Sequence, residues 1–272
     1  MTTSISIVNN YKLLEKISSG SFGSVYRGEH IRTKELVAIK IEAKSDEIKS
    51  LKNEAKIYQY LSGTECFPQL KMYGYDNENN INYLVMSLLG KSLEKVIEYY
   101  KAFNLKNTLI LGVQIIKIIQ TLHEKELLHR DLKPSNFLFC LRTNKLVLID
   151  FGFAKRYINN GKHISYKKIN SIIGSTNFVS LNIHNHSEPS RRDDLESCIY
   201  IILNMLLGRL EWFNKTDLNM IQSMKSNIVS LDDIDPTFKI LLHYVRNMEF
   251  DEKPDYSYMI DLLNKLYKIK TI

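Results

Sequence analysis

The sequence predicts an α+β fold of two unequal lobes, a strand-rich first part followed by a helical second part. Three observations carry this. Short runs of β-branched and aromatic residues, set off by Gly, Thr and Lys breaks, fill the first third of the chain. Beyond Ser92 the apolar residues fall at three- and four-residue steps instead. The change comes at Leu88, Leu89 and Gly90, so a hinge at 87–90 joins a lobe of about 1–86 to one of about 91–272.

Strands are predicted over 11–19, 22–30 and 35–42. Ser45, Asp46 and Glu47 then read as a helix start, with acidic residues meeting the positive end of the helix dipole. Ile48, Leu51, Ala55, Tyr58 and Leu61 continue as one buried helical face. Two further strands, 70–75 and 81–86, flank a polar loop at 76–80. Helices follow at 92–101 and 106–124, the second apolar enough to be central to a core. Short apolar runs at 136–141 and 145–149 flank a turn at Thr143 and Asn144, and from Arg192 the pattern is helical to the end.

Hydrophobic residues make up 44% of the 272, enough to offset ordering entropy and so to exclude a disordered tail. A chain this long buries most of its unfolded surface without a disulfide scaffold. Cys66, Cys140 and Cys198 are odd in number and lack metal-ligand spacing, so thiols in a reducing compartment are expected. No basic segment followed by an apolar core opens the chain, which implies a cytoplasmic or nucleocytoplasmic protein that is not secreted. The most apolar stretches, 109–119 and 199–207, are too short and interrupted to span a bilayer, so no membrane partner is expected. The net charge of +7 is spread along the chain, and by itself it does not choose between an acidic protein, a phosphorylated substrate and nucleic acid. No basic tract interleaved with aromatics marks a specific nucleic-acid binder.

Four elements carry chemistry. Gly20 and Gly23, within a small-residue run between two predicted strands, suit the close approach of backbone N–H groups to a polyphosphate, although glycine-rich hairpins are common. Lys40 ends the apolar run Val37, Ala38, Ile39, and Glu54 on the following helix is a partner able to aim its ammonium at phosphate oxygens. The third element is His129, Arg130, Asp131, Leu132, Lys133, Pro134, Ser135 and Asn136. There Asp131 suits a hydroxyl proton, Lys133 a migrating phosphoryl group and Asn136 a metal ion. The fourth is Asp150, Phe151 and Gly152 after an apolar run, where a carboxylate at the end of a buried strand is costly unless paired, as by Mg²⁺ bridging phosphates. In order and spacing the four match the protein-kinase signature set.

The match narrows further. Residues 84–94, 162–166, 190–197 and 250–258 resemble the hinge, activation-segment and late motifs of the casein kinase I family, and Ser180, Leu181 and Asn182 are similar to that family's Ser-Ile-Asn. The resemblance covers about 11–267 and implies a bilobal protein-kinase-like fold in a single domain over 1–272. It implies a Ser/Thr protein kinase that uses ATP and Mg²⁺, acts on acidic protein substrates and is a monomer. Carried over by position, Gly20 and Gly23 cover the ATP phosphates, and Lys40 contacts them and pairs with Glu54. Ile17, Val25, Ala38 and Leu138 enclose adenine, with Met86 as gatekeeper and Leu89 giving hinge backbone contacts. Asp131 is the catalytic base, Lys133 the charge stabiliser and Ser175 the residue bracing both. Asn136 and Asp150 are the Mg²⁺ ligands.

Departures qualify these expectations. Ser18 stands at the first glycine of the phosphate loop, which implies weaker or slower nucleotide binding and motivates a pseudokinase scaffold as the alternative. Asn177 replaces an arginine that helps bind a phosphate already on the substrate, and an uncharged amide supplies no charged fork. The family's basic run is reduced to Lys215 and Lys225, leaving Lys167, Lys168 or Arg191 as substitutes. With no tail after Ile272, constitutive activity is the expectation. His129 and Asp194 read as supports of the catalytic loop, His184 and His186 as lacking a metal set, and Trp212 as packing.

Overall fold

The computed structural model describes residues 7–20, 23–43, 50–228 and 234–271. Two compact units emerge, Met1–Gly90 with Leu138–Gly152, and Lys91–Phe137 with Phe153–Ile272.

The first unit is built on six antiparallel strands, β1 (Ile7–Val8), β2 (Tyr11–Gly20), β3 (Gly23–His30), β4 (Leu36–Ala43), β5 (Leu70–Asp76) and β6 (Ile81–Ser87), in the order β1-β2-β3-β4-β6-β5. Ala38 lies opposite Met86, and Lys40 lies between Val25 and Leu84. Because strand side chains alternate, Val25, Ala38, Lys40, Leu84 and Met86 share one face. Val37, Ile39, Ile41, Tyr83 and Val85 take the other, where they join Val8, Tyr11, Leu13 and Ile81 in a buried cluster. Helix α1 (Ser50–Tyr60) packs on β5 and β6. Its predicted start at Ser45, Asp46 and Glu47 lies outside the described residues, as do Ser21 and Phe22.

The segment 138–152 belongs to this unit by its bonding, although sequence order places it with the helical lobe. The Gly90 N–H donates to Phe139 O at 2.7 Å and the Leu148 N–H to Cys66 O at 3.0 Å. Phe151 is buried with its ring edge-on to Tyr58 and Phe67, at 5.1 and 5.7 Å between centroids.

The second unit is helical, with α2 (Leu93–Tyr100), α3 (Leu105–Glu124), α4 (Leu181–His184), α5 (Arg191–Leu207), α6 (Leu218–Asn227), α7 (Pro236–Arg246) and α8 (Tyr256–Thr271). Ser92, Asn104, Ser180, Asp217 and Asp235 cap α2, α3, α4, α6 and α7 by accepting backbone N–H bonds, which sets where those helices begin. The 20 residues of α3 are long and apolar enough to cross a membrane by length and composition. Here α3 packs against α5 and α8, with Ile115, Ile116, Ile119 and Leu122 buried as the core of this unit.

Candidate active site

The first unit gathers one set of functional side chains. Lys40 Nζ lies 2.6 Å from Glu54 Oε2 and 3.4 Å from Asp150 Oδ1. Burial works to lower the Lys40 ammonium, but the two carboxylates outweigh it and hold Lys40 above its ordinary value, so it stays charged at neutral pH. Tyr58, one helical turn beyond Glu54, receives the Asp150 N–H at 3.0 Å, and burial drives its phenol upward, so it remains protonated and bonds Glu54. This tyrosine read only as part of a buried helical face. Its spacing of four from Glu54 was the available signal. Asp150 has φ 68°, a conformation costing roughly 1–3 kcal/mol outside glycine, and the bond to Tyr58 helps to hold it.

The other residues read as nucleotide contacts also fall in this unit. Val25, Ala38 and Met86 share the sheet face that carries Lys40. Leu89 follows β6 and Leu138 lies on a short strand at Phe137–Phe139, both half-buried, whereas Ile17 on β2 is exposed. Gly20 pairs with Gly23, and Ser18 stays extended opposite Val25. Gly23 has a reason to be glycine that involves no ligand. Its φ is +121°, and a Cβ there would fall 2.1 Å from the Ile41 carbonyl oxygen.

The second unit gathers the rest. Asp131 is buried, and its Oδ1 accepts the Ser175 N–H at 2.8 Å and the Ser175 hydroxyl at 2.7 Å. Its Oδ2 accepts Lys133 Nζ at 2.7 Å, and that ammonium also reaches Ser175 Oγ at 3.3 Å. Ser175 thus uses its one hydroxyl proton on Asp131 and a lone pair on Lys133, closing a three-membered polar ring across 42 residues of sequence. Asn136 Nδ2 donates to Asp131 O at 2.9 Å, which orients the amide with its oxygen as the group able to meet a cation. The Asn136 amide oxygen here, and the Asp150 carboxylate in the first unit, are each a hard oxygen donor of the kind that suits Mg²⁺ rather than a soft metal.

Asp194 holds the 129–136 loop by its backbone. It accepts the N–H groups of His129 at 2.8 Å and Arg130 at 2.9 Å, and His123 Nε2 at 3.0 Å. Burial pushes the Asp194 carboxyl up, but these donors win and keep it below its ordinary value, hence ionised. Burial holds His123 neutral, so its single ring proton sits on Nε2 facing Asp194, and Nδ1 accepts the Tyr256 hydroxyl at 2.7 Å. Neither His123 nor Tyr256 was singled out in the sequence, because their separation of 133 residues carries no local pattern.

Gly174, just before Ser175, has φ +98°, and a Cβ there would lie 2.4 Å from Arg130 O. Gly174→Ala is expected to cost about 1–3 kcal/mol and to lower the rate by loosening Ser175. Thermal denaturation and a transfer assay check this, and an unchanged melting temperature and rate would contradict it.

Lys225, read as a remnant of the basic run, and the residues suggested as substitutes for the missing arginine are differently placed. Lys225 is fully buried and donates to the carbonyls of Thr176 and Val179, both at 2.7 Å. Arg191 is buried, donates to Asp251 O and lies 4.8 Å from the Tyr157 ring centroid. Lys167 and Lys168 are exposed, the first 3.7 Å from Glu188 and the second bonded to Asn185 O. Arg130 Nε donates to Phe153 O at 2.6 Å.

A family model described as the protein kinase domain matches residues 11–271.

Proposed function

Since the chain belongs to the protein kinase domain family, we propose that it transfers the ATP γ-phosphoryl group to serine and threonine hydroxyls of proteins, as an active enzyme of casein kinase I type. The observation that carries this is the Asp131 carboxylate held between Lys133 and Ser175. Asp131 accepts the proton of the acceptor hydroxyl as its oxygen bonds the γ-phosphorus, and the bond from that phosphorus to the β-phosphate oxygen breaks to release ADP. Lys133 neutralises charge on the migrating group, and Ser175 keeps the Asp131 oxygen in line. Lys40, fixed by Glu54, takes the ATP phosphates. Ile17, Val25, Ala38, Met86, Leu89 and Leu138 take adenine, and Gly20 and Gly23 cover the phosphates. Asn136 and Asp150 are the groups to hold Mg²⁺, which when bound neutralises phosphate charge.

Two points support activity without activation-loop phosphorylation. The Lys40–Glu54 pair and the Ser175–Asp131 bonds use unmodified side chains, and Arg130 is engaged by Phe153 O. The +7 charge and the exposed Lys167 and Lys168 support acidic protein substrates. Asn177 and the burial of Lys225 and Arg191 argue against a requirement for pre-phosphorylated ones. We read the protein as a monomer in a reducing cytoplasmic or nucleocytoplasmic compartment, with no membrane or specific nucleic-acid partner. The dispersed charge and the odd cysteine count support this.

The test is incubation of the purified chain with Mg²⁺, γ-labelled ATP and a panel of acidic, neutral and pre-phosphorylated peptides, followed by phosphoamino-acid analysis. Label on serine or threonine, lost in Asp150→Asn, is the expected result. Equal incorporation in both proteins would sink the enzyme reading and favour the pseudokinase scaffold that Ser18 suggests.

A further inference from the structure

Lys225 is a buried amine with no carboxylate within ion-pair distance among the described residues, and burial pushes its ammonium down to about 7. A charge in that position is costly unless its protons are used. Nζ donates to Thr176 O and Val179 O at 2.7 Å each and lies 3.1 Å from His184 Nε2, with the Tyr200 and Trp212 ring centroids 5.1 and 5.7 Å away. Trp212 Nε1 adds a bond to Asn177 O at 2.9 Å. The carbonyls of Thr176, Asn177 and Val179 are therefore held from α6 and from the Trp212 turn. The Ser175 carbonyl closes the turn by accepting the Phe178 and Val179 N–H groups at 2.8 and 3.0 Å.

The clamp is anchored in turn. Arg246 on α7 donates to the Lys225 carbonyl at 2.9 Å and to Glu196 on α5 at 3.0 Å, and it also meets Tyr200 OH at 2.9 Å. One end of the held segment is Ser175, bonded twice to Asp131. The other is Ser180, which caps α4 and donates to Asp193 at 2.6 Å. We infer that Lys225, seconded by Trp212, is a positioning residue for phosphoryl transfer, holding the 176–179 turn so that Ser175 keeps Asp131 in line. This rests on the kinase reading above for its consequence, though not for the clamp itself.

The clamp is tested by hydrogen exchange. Lys225→Met, which keeps length and removes a buried charge, is expected to speed exchange of the Phe178 and Val179 amides by about tenfold or more, with α3 and α5 unchanged. Trp212→Phe, which retains the ring, is expected to act on the same amides more weakly, and it decides the matter if Lys225→Met does not fold. In transfer assays Lys225→Met is expected to lower kcat about tenfold with the KM for ATP unchanged, and to add little in a Ser175→Ala background, since both changes remove the same restraint. Unchanged exchange at Phe178 and Val179, or kinetic losses that multiply independently in the double variant, would overturn the inference. If the wild-type chain transfers no phosphate, the kinase reading fails and the exchange result alone decides whether the clamp exists.

Discussion

Asp131→Asn is expected to cut phosphoryl transfer by about 10²–10⁴-fold while the protein stays folded. Asparagine matches the shape of aspartate and still offers an oxygen to the Ser175 N–H and hydroxyl, now 2.8 and 2.7 Å from Oδ1. What disappears is the basic carboxylate and the charge that Lys133 Nζ meets at 2.7 Å. Lys133 keeps 28% of its side-chain surface exposed, so water compensates its lost partner and the stability cost stays small. The residues proposed for ATP all lie in the other unit, so the KM for ATP is expected to change by no more than about twofold. Steady-state kinetics with peptide and ATP varied separately, alongside a melting curve, measure these effects. A rate within threefold of wild type in a folded protein would remove Asp131 from the role of base.

Asp194→Asn carries the largest expected effect on stability, about 3–5 kcal/mol, together with a fall in activity. Three donors converge on this one carboxylate, with His129 N and His123 Nε2 on Oδ2 and Arg130 N on Oδ1. An amide turns one of those oxygens into an NH₂ group. Either orientation then faces a donor with a donor, in a place where Asp194 is only 3% exposed and water is excluded. The loop bearing Asp131 loses its backbone anchor as a result. The sign of the pH dependence follows from the depressed carboxyl. A folded-state value below the unfolded 3.8 means that the contribution of Asp194 is complete above 3.8 and is lost as pH falls through the folded value. Denaturant titrations at neutral and acid pH are expected to show wild type and variant converging as acid removes that contribution. A difference under about 1 kcal/mol at neutral pH would show that the three donors have other partners.

Much of this site is legible in the chain because its chemistry is local. Asp131, Lys133 and Asn136 sit within six positions, and the bond from Asn136 Nδ2 to Asp131 O is a property of that short loop. Lys40 follows from an alternating strand, and Glu54 from the first helix after it. The helix limits at Ser92 and Asn104 were readable to within a residue or two, since a capping side chain bonds the backbone only two or three positions on. Three features were less legible. The role of Ser175 came only through a family resemblance, its partner being 44 residues away. Lys225 looked like the remnant of a basic surface and proved to be an internal donor. Trp212 looked like packing and also holds a carbonyl.

The sequence alone determined the strand-rich and helical parts, the polar 129–136 loop and the protein kinase domain, because each depends on spacings of a few residues or on short motifs. The tertiary structure alone decided that 138–152 joins the first unit, that Lys225 and Arg191 are withdrawn from solvent, and that Asp194 binds His123 and through it Tyr256. The physical reason is common to all of these. Whether a charged group faces water or a ring of carbonyls is set by elements far apart in the chain. Spacing encodes what neighbours along the backbone can do, whereas solvation is a property of the packed whole.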